Sequence, residues 1–102
     1  MAGKVLINVI ERNKNVVIAI CDKSLLGKKY VEGELCLDLI KYKKFYQGEF
    51  AENVKELDEK LKVASSINVI GKESLKLIEN KGFDIKNCKY IGKIPHLQIY
   101  RL

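Results

Sequence analysis

The stretch Ser65-Ser66-Ile67-Asn68-Val69-Ile70-Gly71-Lys72-Glu73-Ser74-Leu75-Lys76-Leu77-Ile78-Glu79-Asn80-Lys81-Gly82 decides the class of fold. Ile67 to Ile70 is a short apolar run rich in β-branched residues, which suits a buried strand. Gly71 then leads into a helix from Lys72 to about Lys81, and Gly82 stands where helices commonly stop. Cys88-Lys89-Tyr90-Ile91 reads as the next strand, so residues 67–91 predict a βαβ-like unit.

Upstream of this unit, Val54, Leu57, Leu61 and Ala64 recur at helical spacing between Glu52 and about Ala64. Glu56 with Lys60 and Asp58 with Lys62 add acid-before-base pairs four positions apart, the arrangement that supports a surface helix. Lys41 to Ala51 has no such period and reads as a loop hinged at Gly48. Before it, Glu34-Leu35-Cys36-Leu37-Asp38-Leu39-Ile40 alternates, with Leu35, Leu37 and Leu39 on one face. Lys4 to Ile10 and Val16 to Cys21 are rich in β-branched residues and flank Glu11-Arg12-Asn13-Lys14-Asn15, whose asparagines tolerate turn geometry. They predict an antiparallel hairpin. Asp22-Lys23-Ser24-Leu25-Leu26-Gly27 places a capping residue before one helical turn.

Downstream, the chain's one proline and one histidine stand side by side. Pro95 fixes its own backbone and biases Ile94 toward extended geometry, so Gly92 to Pro95 reads as a stiff turn that aims His96. In a final strand from His96 to Leu102, Leu97, Ile99 and Arg101 share one face, while His96, Gln98 and Tyr100 share the other. The expected fold is therefore α+β: a small single domain over residues 1–102 with a mixed or antiparallel sheet. Two helices pack on one face, and the C-terminal part is βαβ-like.

Nineteen Lys plus Arg against thirteen Asp plus Glu leave a net charge of +6, which favours association with phosphate backbones. All of the basic residues except Arg12 and Arg101 are lysines, a usage also met in heat-adapted proteins. The apolar runs are only a few residues long, far below the roughly 20 of a membrane helix, and Met1-Ala2-Gly3-Lys4 leads into alternation. A soluble cytoplasmic protein is the expectation. Cys21, Cys36 and Cys88 are odd in number, widely spaced and without a C-x-x-C pair, which argues for reduced thiols. A disulfide framework or a zinc site finds no support, and no cofactor is implied.

Three groupings carry chemistry. In Lys41-Tyr42-Lys43-Lys44-Phe45-Tyr46, ammonium groups alternate with rings; lysines neutralise phosphates and rings stack unpaired bases, which suits single-stranded RNA. The competing reading packs Phe45 and one tyrosine into the core and leaves the lysines solvated. Lys93 and Arg101 extend the basic set. The strand-to-helix handover at Gly71-Lys72-Glu73 is not a P-loop, because Ser66 replaces the first glycine and Glu73 the hydroxyl residue. It reads as a cap, with Asn68 as a backbone partner. Cys21, Asp22 and His96 form a conceivable thiol, acid and base, against which Cys21 is a small buried hydrophobe and Asp22 a cap. His96 and Gln98 project together and either read a ligand or satisfy backbone groups.

Taken in order, Ala19-Ile20-Cys21-Asp22-Lys23-Ser24-Leu25-Leu26-Gly27-Lys28, Phe45-Tyr46-Gln47-Gly48, Asn68-Val69-Ile70-Gly71 and Ile94-Pro95-His96-Leu97-Gln98 resemble the archaeal family called domain of unknown function 424. Its motifs read approximately C-D-x-x-L-L-G-K, F-Y-G-G, N-x-x-G and G-G-x-P-H-A-Q, and the likeness spans nearly the whole chain. Gln47, Lys93 and Leu97 depart from that pattern, which bears on close backbone approach at two loops. The resemblance implies an archaeal cytoplasmic protein of small α+β fold associated with RNA and translation. It brings no catalytic residues.

The reading that follows is a noncatalytic RNA-binding or ribosome-associated factor. Lysines would meet phosphates, the rings of Tyr42, Phe45 and Tyr46 would meet bases, and His96 and Gln98 would supply a polar spot. The alternatives are a small hydrolase or transferase built on Cys21, Asp22 and His96, or a protein-interaction subunit. Pairing with a second copy through a strand edge is left open, as is the isomer of the Ile94-Pro95 bond.

Overall fold

Two residues with left-handed backbone, Asn13 (φ 47°) and Lys14 (φ 72°), turn β1 (Val5–Arg12) directly into β2 (Asn15–Asp22). That is the geometry whose twist matches paired strands, so the expected five-residue loop contracts to two and the ladder runs from Arg12↔Asn15 to Val5↔Asp22. The computed structural model describes residues 3–101; Met1, Ala2 and Leu102, the expected end of the last strand, lie outside the described residues.

A 3₁₀ turn, Lys23–Leu25, follows β2, and the remaining strands and α-helices are β3 (Lys29–Glu32), β4 (Leu35–Asp38), α1 (Lys43–Tyr46), β5 (Glu49–Phe50), α2 (Leu57–Val63), β6 (Ser66–Ile70), α3 (Lys72–Asn80), β7 (Lys89–Ile91) and β8 (Ile94–Tyr100). Six strands form one sheet in the order β5-β1-β2-β6-β8-β7, while β3 and β4 make a separate hairpin. The β2–β6 ladder is parallel and the others are antiparallel, so the sheet is mixed. The βαβ-like unit takes a split form. β6 and β7 run the same way, but β8 lies between them and is antiparallel to both. The Ile94-Pro95 bond is trans. Pro95 sits inside a paired strand at no cost: its carbonyl accepts the Gly71 N–H at 2.9 Å, and the Gly71 carbonyl needs no return donor because it accepts from Leu75 at the start of α3.

Alternation divides the sheet's side chains between two faces. Val5, Ile7, Ile18, Ile20, Ile67, Val69 and Leu97 point to one face, where Leu61 and Ala64 of the α2 segment and Leu75 and Ile78 of α3 cover them. This is the expected two-helix face. On the other, Ala19, Cys21 and Ile70 are covered by Leu37, Leu39 and Tyr46. At a radius of gyration of 13.0 Å, the chain has the size of one domain of about 100 residues.

Several local expectations are corrected. The segment 41–51 is not all loop: Tyr46 N–H reaches the Tyr42 carbonyl and Gln47 N–H the Lys43 carbonyl, closing α1, and Glu49–Phe50 pair with β1 at the sheet edge. A single turn is too short to show a period. The helix expected from Glu52 starts only at Leu57, because Ala51–Asn53 form a tight 3₁₀ turn beneath β1 and Glu56 takes left-handed backbone (φ 56°). Glu56 therefore lies outside the helix, and Asp58 pairs at 2.7 Å with Lys81 of the α3 end instead of with Lys62. In the expected strand Glu34–Ile40, Leu37 and Leu39 are buried but Leu35 is exposed, since the β3–β4 hairpin overhangs the sheet at its tip.

Candidate functional site

Across the second face, the ladders align side chains in rows. Asn8, Ala19, Asn68 and Gln98 form one row over four neighbouring strands; Leu6, Cys21, Ile70, His96 and Lys89 form the next. The β1–β2 end of these rows lies under Tyr46 and its neighbours. Toward β8 the cover gives way to an open groove of about 360 Å³, walled by Asn68, Ile70, His96 and Gln98 on the sheet and by Cys36 to Leu39, Tyr42, Phe45 and Tyr46 opposite.

The wall of rings is built from local bonds. Asp38 Oδ1 accepts the N–H groups of Ile40 (3.1 Å) and Lys41 (2.9 Å), which bends the chain out of β4 and lifts Tyr42 to the rim. Those donors, with Lys29 and Lys41 nearby, hold the Asp38 carboxyl below its usual range. Asn8 donates from Nδ2 to the Phe45 carbonyl at 2.9 Å, tying α1 to β1. Phe45 and Tyr46 meet edge to face at 4.9 Å, and burial pushes the Tyr46 phenol upward in pKa. Tyr42 stays 52% exposed with the Lys41 ammonium 5.4 Å above its ring. The packing reading of this segment describes its geometry: Phe45 and Tyr46 anchor it to the core, while Tyr42 and the lysines at 41, 43 and 44 face solvent.

On the sheet side, Gln98 Nε2 donates to Asn68 Oδ1 at 3.2 Å, so Asn68 serves a neighbouring side chain and not the backbone. Desolvation, followed by the like charge of Lys89 on the adjacent strand, lowers the pKa of His96 from 6.5. Folding then favours the neutral ring. Its contribution to stability is present above pH 6.5 and lost as pH falls through the depressed folded value, because the unfolded chain binds the proton first. Urea midpoints are expected to drop between pH 7.5 and 5.5 in the wild type, and to drop less in His96→Gln.

Cys21, Asp22 and His96 do not meet. Ile70 stands between Cys21 and His96 in their shared row, two strand spacings or roughly 10 Å of backbone separation. The Cys21 thiol is fully buried and donates to the Asp22 carbonyl at 3.3 Å; burial, then Asp22, pushes its pKa up to about 12. Asp22 turns toward α3, where its carboxylate accepts from Glu73 N–H (3.2 Å), Ser74 N–H (2.7 Å) and the Ser74 hydroxyl (2.6 Å). The cap expected of Asp22 is real but serves a helix fifty residues away instead of its own turn. In a maleimide labelling series, exposed Cys36 should react first, half-buried Cys88 more slowly and Cys21 only on unfolding, as mass spectrometry would record.

Two basic candidates lie elsewhere. Arg101 donates to the Leu61 and Lys62 carbonyls at the end of α2 and stacks 5.2 Å from the Phe83 ring, on the helical face. Lys93 belongs to the β7–β8 turn beside Lys72 and Glu73, at the start of α3. Two groups not among the sequence-derived site candidates join the groove's surroundings: Lys89, paired with His96, and Tyr100, already expected on the His96 and Gln98 face, which projects two residues beyond Gln98 and is 69% exposed. The alternation of β8 points to Tyr100; the placement of Lys89 depends on strand order. Among the described residues, no three His, Cys, Asp or Glu side chains cluster as metal ligands, and no helix is long and apolar enough to cross a membrane.

A mixed sheet with helices on one face and a ring-lined groove on the other defines a small α+β domain. The chain belongs to the family described as Protein of unknown function (DUF424), which it matches over residues 10–102. Among solved structures it is similar to one titled "Crystal structure of an uncharacterized conserved protein from Methanopyrus kandleri". That likeness has a TM-score of 0.77 and 24% identity over 94% of this chain and 90% of the other, and it speaks for the fold alone. No curated protein matches the chain.

Proposed function

We propose that this protein is a noncatalytic RNA-binding factor of an archaeal cytoplasm, acting on the ribosome or another part of the translation apparatus. The observation that carries the reading is the gathering of Tyr42, Phe45 and Tyr46 with Asn68, His96 and Gln98 around one groove, beside a loop whose lysines are exposed. Phosphates would meet Lys41, Lys43 and Lys44, while the groove meets bases. The net charge of +6 supports this partner class. The hydrolase or transferase alternative needs a thiol that is buried and protonated, and an acid already committed to a helix cap.

The test is binding of labelled RNA by fluorescence anisotropy over a series of salt concentrations. Affinity should fall steeply as salt rises. Lys43→Glu with Lys44→Glu should weaken binding of all sequences alike, by about tenfold or more, and flatten the salt slope by about one per lysine. Unaltered affinity in the double variant would remove this surface from consideration. Copurification with and without nuclease then distinguishes free RNA from the ribosome and from protein partners.

A further inference from the structure

We propose that the groove holds a single unpaired base of a single-stranded RNA, and that Tyr100 stacks the next base; this rests on the RNA-binding reading above. The volume of about 360 Å³ lies at the low end of small-ligand pockets and is ample for one planar base. Its polar wall is matched to a base edge. Once Gln98 and Asn68 have bonded to one another at 3.2 Å, one amide oxygen and one amide NH₂ of the pair remain to meet a ligand. Exchanging the two amides leaves the same outcome, one acceptor and one donor. A neutral His96, with a further donor and acceptor, adjoins them on the same strand. Every base carries such adjacent groups on an edge, but in a duplex the pairing edges are taken, so this wall suits an unpaired base.

Tyr100 continues the same face of β8 beyond Gln98, and it is more exposed than Tyr42 or Tyr90. A side chain so exposed at the end of a strand contributes little packing and is available for stacking. The carboxylate on the groove wall, Asp38, is turned to the Ile40 and Lys41 N–H groups, which offsets its charge toward an incoming anion. Lys89 next to His96 adds a cation where the strand would leave the groove.

The experiment compares a mixed-sequence single-stranded RNA, the same length of duplex, and an abasic strand that keeps the phosphates, each against wild type, Tyr100→Ala and Gln98→Ala. Both variants alter exposed residues, and matched melting curves establish that they fold. Tyr100→Ala should lower affinity for the single strand about fivefold or more, leaving duplex binding and the salt slope unchanged. The side-chain amide NMR signals of Asn68 and Gln98 should shift with the single strand and not with the abasic one. Salt-dependent binding that ignores both substitutions and leaves those amides unmoved overturns the groove proposal while the RNA-binding reading stands. If wild type binds none of the three nucleic acids, both fall.

Discussion

Gly71→Ala is expected to destabilise the domain by on the order of 3 to 5 kcal/mol, from two effects that act together. Gly71 has φ 108° and ψ 157°, a region essentially closed to residues with a Cβ. A Cβ placed there would also stand 2.2 Å from Cγ of Asp22. The carboxylate has no room to retreat, because it is held by three hydrogen bonds from Glu73 and Ser74. Against a total stability of about 5 to 15 kcal/mol, the loss is a large share. Asp22→Ala alone should cost about 2 kcal/mol, since the start of α3 loses its cap and Ser74 is left buried without its acceptor. The double variant removes the collision, so its loss should fall short of the sum by about 1 to 3 kcal/mol. Denaturant unfolding of the four proteins measures this coupling. Strict additivity would mean that strain at Gly71 is purely a matter of backbone.

The second large effect is expected at Gly48→Ala, where a Cβ would lie 2.1 Å from the Ile7 carbonyl oxygen and 2.8 Å from the Asn8 nitrogen. These are backbone atoms of β1, which is paired with β2 along eight residues and has no freedom to move. The chain carrying α1 and β5 must lift off instead, at about 2 to 4 kcal/mol. Gly48 is thus a point of closest approach and not a hinge, and Gln47 before it does not prevent that approach. The substitution should free the Phe45 carbonyl from Asn8 and open the ring wall of the groove. A tyrosine fluorescence change together with lost single-strand binding, at temperatures where the sheet is still folded, is the expected signature. Loss of stability with the groove unchanged would mean that β1 yields in place of the loop.

Those two glycines mark the boundary of what one sequence conveys. The hairpin, α3 and the facing of His96 and Gln98 were all readable, because each depends on local period and turn chemistry. The groove was half readable: aromatic residues and lysines interleave visibly in the segment 41–46, but nothing local says that Phe45 and Tyr46 will cover Ala19, Cys21 and Ile70. β3 escaped notice because Lys-Tyr-Val-Glu is short and mostly exposed. The pairing of β2 with β6, and the transfer of Asp22 from its own turn to α3, are properties of strand order. Arg101 looked like a free cation until the fold brought the carbonyls of Leu61 and Lys62 to it.

The parallel seam between β2 and β6 joins segments 49 positions apart, and Asp22 locks its far end onto α3. A chain must close a long loop before either contact returns any energy, and that entropy weighs on the rate more than on final stability. The N-terminal hairpin can form early by itself, whereas the second half must find it. Zipping of this seam is therefore expected to be the slow event of refolding, with residues such as Ala19 and Asn68 at its middle, though remote from any turn, setting the pace at which the grooved face comes into being.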